Sequence, residues 1–129
     1  MLIEGYRGRT VKNGDEVQVY RNLNNGKWSI KALHGEHKGK VVAHLDALGL
    51  TSVKFKISEA SKRRAIAQQT RNVHAVAIGV LNVNCSSVQT GEVVTYSPFK
   101  KGYFHKVGCN EELTEVDGLA FCNGQARLI

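Results

Sequence analysis

Apolar and polar residues alternate along most of this chain, and the period is that of a strand more often than that of a helix. Val17, Val19 and Leu23, then Trp28, Ile30 and Ala32, fall on one face of two segments separated by Asn24-Asn25-Gly26. Asn and Gly tolerate the positive φ angles of a tight turn, so residues 17–33 predict a β-hairpin. The polar, glycine-bearing residues 34–40 predict a loop, residues 41–45 a third strand, and residues 47–50 a bend. At 53–57, Val53, Phe55 and Ile57 alternate with Lys54 and Lys56, the pattern of a strand with one face buried and one in water.

At residue 58 the period changes. Ser58 offers a side-chain oxygen as a cap, and Glu59 sits where the positive end of a helix dipole favours a carboxylate. The spacing predicts a helix over about 59–70. Ala65, Ile66 and Gln69 supply only a thin apolar stripe, so little beyond Ala60, Ile66 and Ala67 is expected to be buried. The near-continuous apolar run at 73–81 predicts a central strand covered on both faces. A strand, helix and strand in succession permit a right-handed crossover or a helix packed across an antiparallel sheet; the hairpin-like connections elsewhere favour the second.

Residues 92–96 predict a strand that Pro98 ends by lacking an N–H donor. Residues 103–107 form a further segment before an acidic turn at 111–115. A second hairpin follows: Leu119 and Phe121, a turn at Asn123-Gly124, then Ala126 and Leu128. The expected architecture is α+β, a mostly antiparallel sheet of seven to eight short strands with one helix, in a single domain over residues 1–129.

A chain of 129 residues can build one core. Its longest apolar run is interrupted by His74 and falls well short of the ~20 residues of a membrane-spanning helix. No apolar stretch follows a basic start at the N-terminus, so no secretory signal is expected. Cys85, Cys109 and Cys122 are odd in number and irregularly spaced, which suits reduced thiols and a cytoplasmic location. Lys and Arg outnumber Asp and Glu by 18 to 11, a net charge of +7 that favours polyanionic partners.

His34, His37 and His44 form one possible metal set, and His105, Cys109 and Cys122 another. Each holds only half of the paired ligands a structural zinc site presents, so no metal and no cofactor are expected. Ser86 and Ser87 follow Cys85, with His74 on a nearby apolar strand, but there is no strained nucleophile turn. Neither the glycines at 5–8 nor those at 35–39 sit in a phosphate-loop pattern. The carboxylates are scattered, and the expectation is a protein that is not an enzyme.

The basic residues carry the stronger signal. Lys54 and Lys56 on the wet face of a strand, then Lys62, Arg63, Arg64 and Arg71 on the helix, are contiguous in sequence, with Glu59 set against them. The plain alternative is a solvated helix face. Residues 96–103, Tyr-Ser-Pro-Phe-Lys-Lys-Gly-Tyr, interleave aromatic rings with lysines in a loop; Lys100, Lys101 and Tyr103 form a second candidate surface.

Residues 19–23 with 27–30, together with 39–44, 71–75 and 96–99, resemble the pattern of small proteins encoded by tailed phages and prophages, a likeness extending from about residue 17 to the C-terminus. The resemblance implies a non-enzymatic accessory protein acting in the host cytoplasm, similar in kind to anti-CRISPR proteins. Its partner would be a host defence effector or that effector's nucleic acid, with no membrane involved. Two alternatives stay open: a small metal-dependent hydrolase or nuclease using His34, His37 and His44, and a structural or assembly accessory of a virion.

Overall fold

A computed structural model of the chain, describing residues 2–21, 27–69, 73–82, 91–122 and 124–129, places nearly all of these alternations in strands. The chain opens with a two-stranded ribbon that the sequence pattern did not announce, β1 (Leu2–Glu4) paired with β2 (Thr10–Lys12) around a 3-10 turn at Tyr6–Gly8. The first hairpin is β3 (Glu16–Arg21) and β4 (Trp28–Ala32), in a register that pairs Val17 with Ala32 and Val19 with Ile30. Its turn at 24–26 and Leu23 lie outside the described residues. Strand β5 (Val41–Leu45) covers the residues expected and pairs with β4.

The bend expected at 47–50 is instead the first part of a long strand, β6 (Leu48–Ile57). Its register against the next strand shifts between Thr51 and Lys54, and Ser52 lies there at φ 51°. Leu48 and Leu50 are buried before the bulge and Val53 after it. One extra residue reverses the alternation, so a single strand reads in sequence as a bend followed by a strand.

Helix α1 (Glu59–Gln68) joins β6 to β7 (Ala75–Leu81), and these two strands are antiparallel neighbours, so the connection is not a crossover. The helix packs along no strand and buries only Ala65, which corrects both the expected packing across the sheet and the expected apolar stripe. Ser58 occupies the cap position without its side chain bonding to the helix; its N–H donates instead to the His74 carbonyl at 2.7 Å. Gln69, at φ 51°, closes the helix before Thr70 by donating its N–H to the Ala65 and Ile66 carbonyls.

The remaining strands are β8 (Val93–Thr95), β9 (His105–Lys106), β10 (Glu115–Cys122) and β11 (Gln125–Leu128). β10 and β11 form the second expected hairpin, with Gly124 at φ 75° in its turn. Nine strands make one antiparallel sheet in the order β5-β4-β3-β7-β6-β10-β11-β8-β9. With the N-terminal ribbon the total is eleven strands and one α-helix among the described residues, more strands than the seven to eight expected because β1, β2 and β9, of two or three residues each, are too short to announce themselves. The α+β class holds.

The sheet is rolled rather than flat. Trp28 on β4 and Phe121 on β10 lie four strand positions apart, which in a flat sheet would be about 19 Å. Their ring centroids are 4.8 Å apart, edge to face. Inside the roll, Val17, Ile30, Leu48, Leu50 and Leu119 are fully buried, each worth ~1.5–3 kcal/mol of transfer free energy. β7 turns Ala77, Gly79 and Leu81 to this core, but Val76, Ile78 and Val80 on its other face are only half-buried, so it is not covered on both faces. Ile78 has Gln18 and Lys54 as cross-strand neighbours. Such long side chains can lay their apolar stems against an aliphatic residue and keep their polar ends wet.

One edge of the sheet is strapped by the N-terminal segment. A side chain at Gly5 would collide with the Val42 carbonyl, Arg9 Nη1 donates to the Val41 carbonyl at 2.8 Å, and Tyr6 meets His44 edge-on at 4.9 Å.

Candidate partner-binding face

The helix and the 97–102 loop, two separate candidates in sequence, meet in the structure. Ala65 is the one inward residue of α1, and Ser61 and Lys62, a turn before it, share that face and are half-buried. Lys62 is therefore directed toward the protein. Its side chain is 18% exposed, and its ammonium lies 3.1 Å from Glu59 Oε2 and donates to the Gly102 carbonyl at 3.3 Å. Lys62 is a strut between the helix and the loop.

The loop is itself ordered by Ser97. The Phe99 N–H donates to Ser97 Oγ at 3.3 Å, and the N–H groups of Lys100 and Gly102 donate to the Ser97 carbonyl at 3.3 and 3.0 Å. Gly102, at φ 73°, takes a conformation that side chains resist. Beyond it, Asn110 collects both partners of the second surface: Lys101 donates to its side-chain oxygen, and the Tyr103 hydroxyl donates to its carbonyl at 2.6 Å. Lys100 is exposed.

Arg63 and Arg64 point away from Ala65 and are exposed, with Arg64 Nη2 donating to Ser61 Oγ at 3.1 Å. Arg71 lies outside the described residues. Lys54 and Lys56 are exposed on the outer face of β6, as the alternation predicts. Lys54 is the register partner of Glu115 on β10, a carboxylate distant in sequence.

The outer sheet face adds groups that sequence reasoning passed over. Lys31, Gln18, Ile78 and Lys54 form one cross-strand row over β4, β3, β7 and β6. With strands about 4.8 Å apart, the two ammonium-bearing ends of this row stand on strands about 14 Å apart. A shallow depression beside it is lined by Tyr20, Lys31, Lys56, Ser58 and His74 among others. The signal for Lys31 and Tyr20 was present in the hairpin alternation, which sets both opposite to Val19 and Ile30; only the pairing of β3 with β7 shows that this face continues to Lys54 and Lys56.

The three histidines do not gather as one set: His34 and His37 line one depression, and His44 lies apart from it. His34 Nε2 lies 2.9 Å from Glu16 Oε1, while His44 Nδ1 bonds to Ser29 Oγ at 2.9 Å on the strapped edge. No group of three or more His, Cys, Asp or Glu able to hold a metal ion occurs among the described residues. Cys109 and Cys122 are free thiols, and Cys85, Ser86 and Ser87 lie outside the described residues. His74 is buried and bonds through Nε2 to the Tyr96 hydroxyl at 2.7 Å. Burial, and secondarily the Glu59 carboxylate, push the Tyr96 phenol up to about 12, so it stays neutral.

Residues 10–128 match the family described as Mycobacterium phage L5 gene 82 protein. The chain belongs to that family. The match takes in every strand of the rolled sheet as well as α1 and the 97–102 loop, and only the strap and β1 precede it. The likeness to phage-encoded proteins drawn from local motifs is thus a family relation over nearly the whole domain. No curated protein and no solved structure matches the chain. No helix among the described residues is long and apolar enough to cross a membrane.

Proposed function

We propose that this phage protein is a non-enzymatic binding protein that inhibits a host defence system, acting in the host cytoplasm on a nucleic acid or nucleoprotein effector through its basic face. The observation that carries the reading is the contact between Lys62 and Gly102. It joins the helix cations Arg63 and Arg64 to Lys100, Lys101 and Tyr103, so that residues some forty apart in sequence belong to one surface. Lys56 and Lys31 line a depression on the sheet beside Ser58, the residue before α1. Glu59 is paired with Lys62 and Glu115 is the register partner of Lys54, while Arg63 and Arg64 are exposed on the helix. Membership of a phage family supports the setting.

Positive groups on one face neutralise phosphates, and affinity for a single strand falls with salt by about 0.7 logarithmic units per contact per tenfold change in salt. The test is capture from host lysate, with and without nuclease, by the wild type and by the Arg63→Glu/Arg64→Glu double variant. The expected result is loss of the captured partner with an unchanged melting temperature. Undiminished capture at low salt by the folded double variant would overturn the proposal.

A further inference from the structure

The geometry points to a second site on the other side of the sheet: a pocket inside the roll that binds a planar aromatic molecule carrying one anionic group. The cavity is about 400 Å³ and opens to solvent. That volume is in the range of small-molecule sites, and its walls are largely apolar, as such sites require.

The pocket exists because small residues stand beside large rings. Ala77 on β7 is the cross-strand partner of Phe55, and Ala126 on β11 is the partner of Phe121. Each alanine leaves the neighbouring ring without a bulky side chain at its flank. Phe55 stacks on Phe104 at 4.4 Å and 17°, and Phe104 on Tyr96 at 5.0 Å and 25°, so three near-parallel rings form one wall. The bond from Tyr96 to His74 anchors the last of them. A stack of parallel rings favours a flat guest, which can continue the stacking.

The charge of the guest follows from the rim. Among the described residues, Arg21 is the only charged one lining the pocket. Its Nη1 donates to the Gly124 carbonyl at 2.8 Å, and its Cζ lies 5.6 Å from the Trp28 ring centroid. A side chain at position 124 would strike the guanidinium, so Gly124 leaves it room. A guanidinium has five N–H donors in a planar fork, and this one is held at the mouth with donors to spare for a carboxylate, phosphate or sulfonate.

The test uses 8-anilinonaphthalene-1-sulfonate, an anion built on a flat naphthalene ring system, with N-phenyl-1-naphthylamine as its uncharged analogue. Trp28, the only tryptophan, reports from within the site. One saturable equivalent of the sulfonate is expected to bind, with Trp28 emission falling in step. Ala77→Leu is expected to abolish binding; Ala126→Leu fills the hollow from another strand should the first variant not fold. Arg21→Gln is expected to weaken the sulfonate about tenfold and leave the uncharged analogue unaffected. Arg63→Glu/Arg64→Glu is expected to bind the sulfonate as the wild type does, which separates this site from the basic face. Absence of saturable binding, or binding unchanged in folded cavity-filling variants, would overturn the site; equal loss of both dyes in Arg21→Gln would overturn its preference for anions.

Discussion

Leu50 and Leu119, cross-strand partners near the middle of the sheet, expose nothing to solvent, whereas Ile66 on α1 and Phe99 in the neighbouring loop are 44% and 56% exposed. Side chains of similar hydrophobicity thus meet opposite fates within one small chain. In the middle of the sheet, β3, β7, β6 and β10 share long registers and every inward side chain has a partner across the strand. At the corner formed by α1 and the 97–102 loop, the contacts are polar and few: the Lys62 strut, the Ser97 turn and the Asn110 bonds. Stability and the proposed recognition therefore fall to different residues, and substitutions should separate them.

The largest effect is expected in the middle. Leu119→Ala removes a fully buried side chain and should cost ~2–5 kcal/mol in urea unfolding. Tyr96→Phe sits at the boundary between the two regions and should cost ~1–2 kcal/mol through loss of the His74 bond. It should also change the pH profile. The folded state holds the phenolic proton more tightly than the unfolded chain, so this contribution is complete below pH 10 and is lost as pH rises toward 12. Wild-type unfolding followed over that window should weaken more than that of Tyr96→Phe, and parallel profiles would show that the phenol is not linked to folding.

Lys62→Met, which keeps the stem and removes the ammonium, should cost under ~1 kcal/mol. Its effect should appear locally, as faster amide exchange at Lys100 and Gly102, whose N–H groups close the Ser97 turn. Smallest of all, Ile66→Ala should change stability by less than ~0.5 kcal/mol. A loss near that of Leu119→Ala would mean that α1 is a core element and would erase the contrast.

Much of the middle region was legible in the sequence. Period-two alternation is a local property, and it located β3, β4, β5, β10 and β11, although the β4–β5 register shifts between Ile30 and Lys31. It failed at Ser52, where one inserted residue reverses the phase, and at β1, β2 and β9, where pairs of two or three residues give no period to detect. Of residues 103–107, only His105–Lys106 are a strand. The basic residues were legible as residues but not as a surface. That Lys62 turns inward, that Glu115 sits opposite Lys54, and that Lys31 joins their face depend on strand order, which alternation does not encode. The inner pocket was invisible for a related reason: Ala77 and Ala126 look like ordinary small core residues until their partners are known to be Phe55 and Phe121.

The N-terminal strap has a consequence for how the protein behaves when handled. A terminal strand offers unpaired backbone groups to any other chain, and proteins commonly hide such edges. Here Gly5, Tyr6 and Arg9 lie over β5, while the opposite edge, β9, is only two residues long. A chain shortened to start at Thr10 would retain the family-matched region and lose its shield. It should polymerise edge to edge on concentration, visible as scattering that grows with time. Fusion partners and affinity tags are accordingly better attached at the C-terminal end, where Ile129 is half in solvent, than at the strap that keeps the sheet to itself.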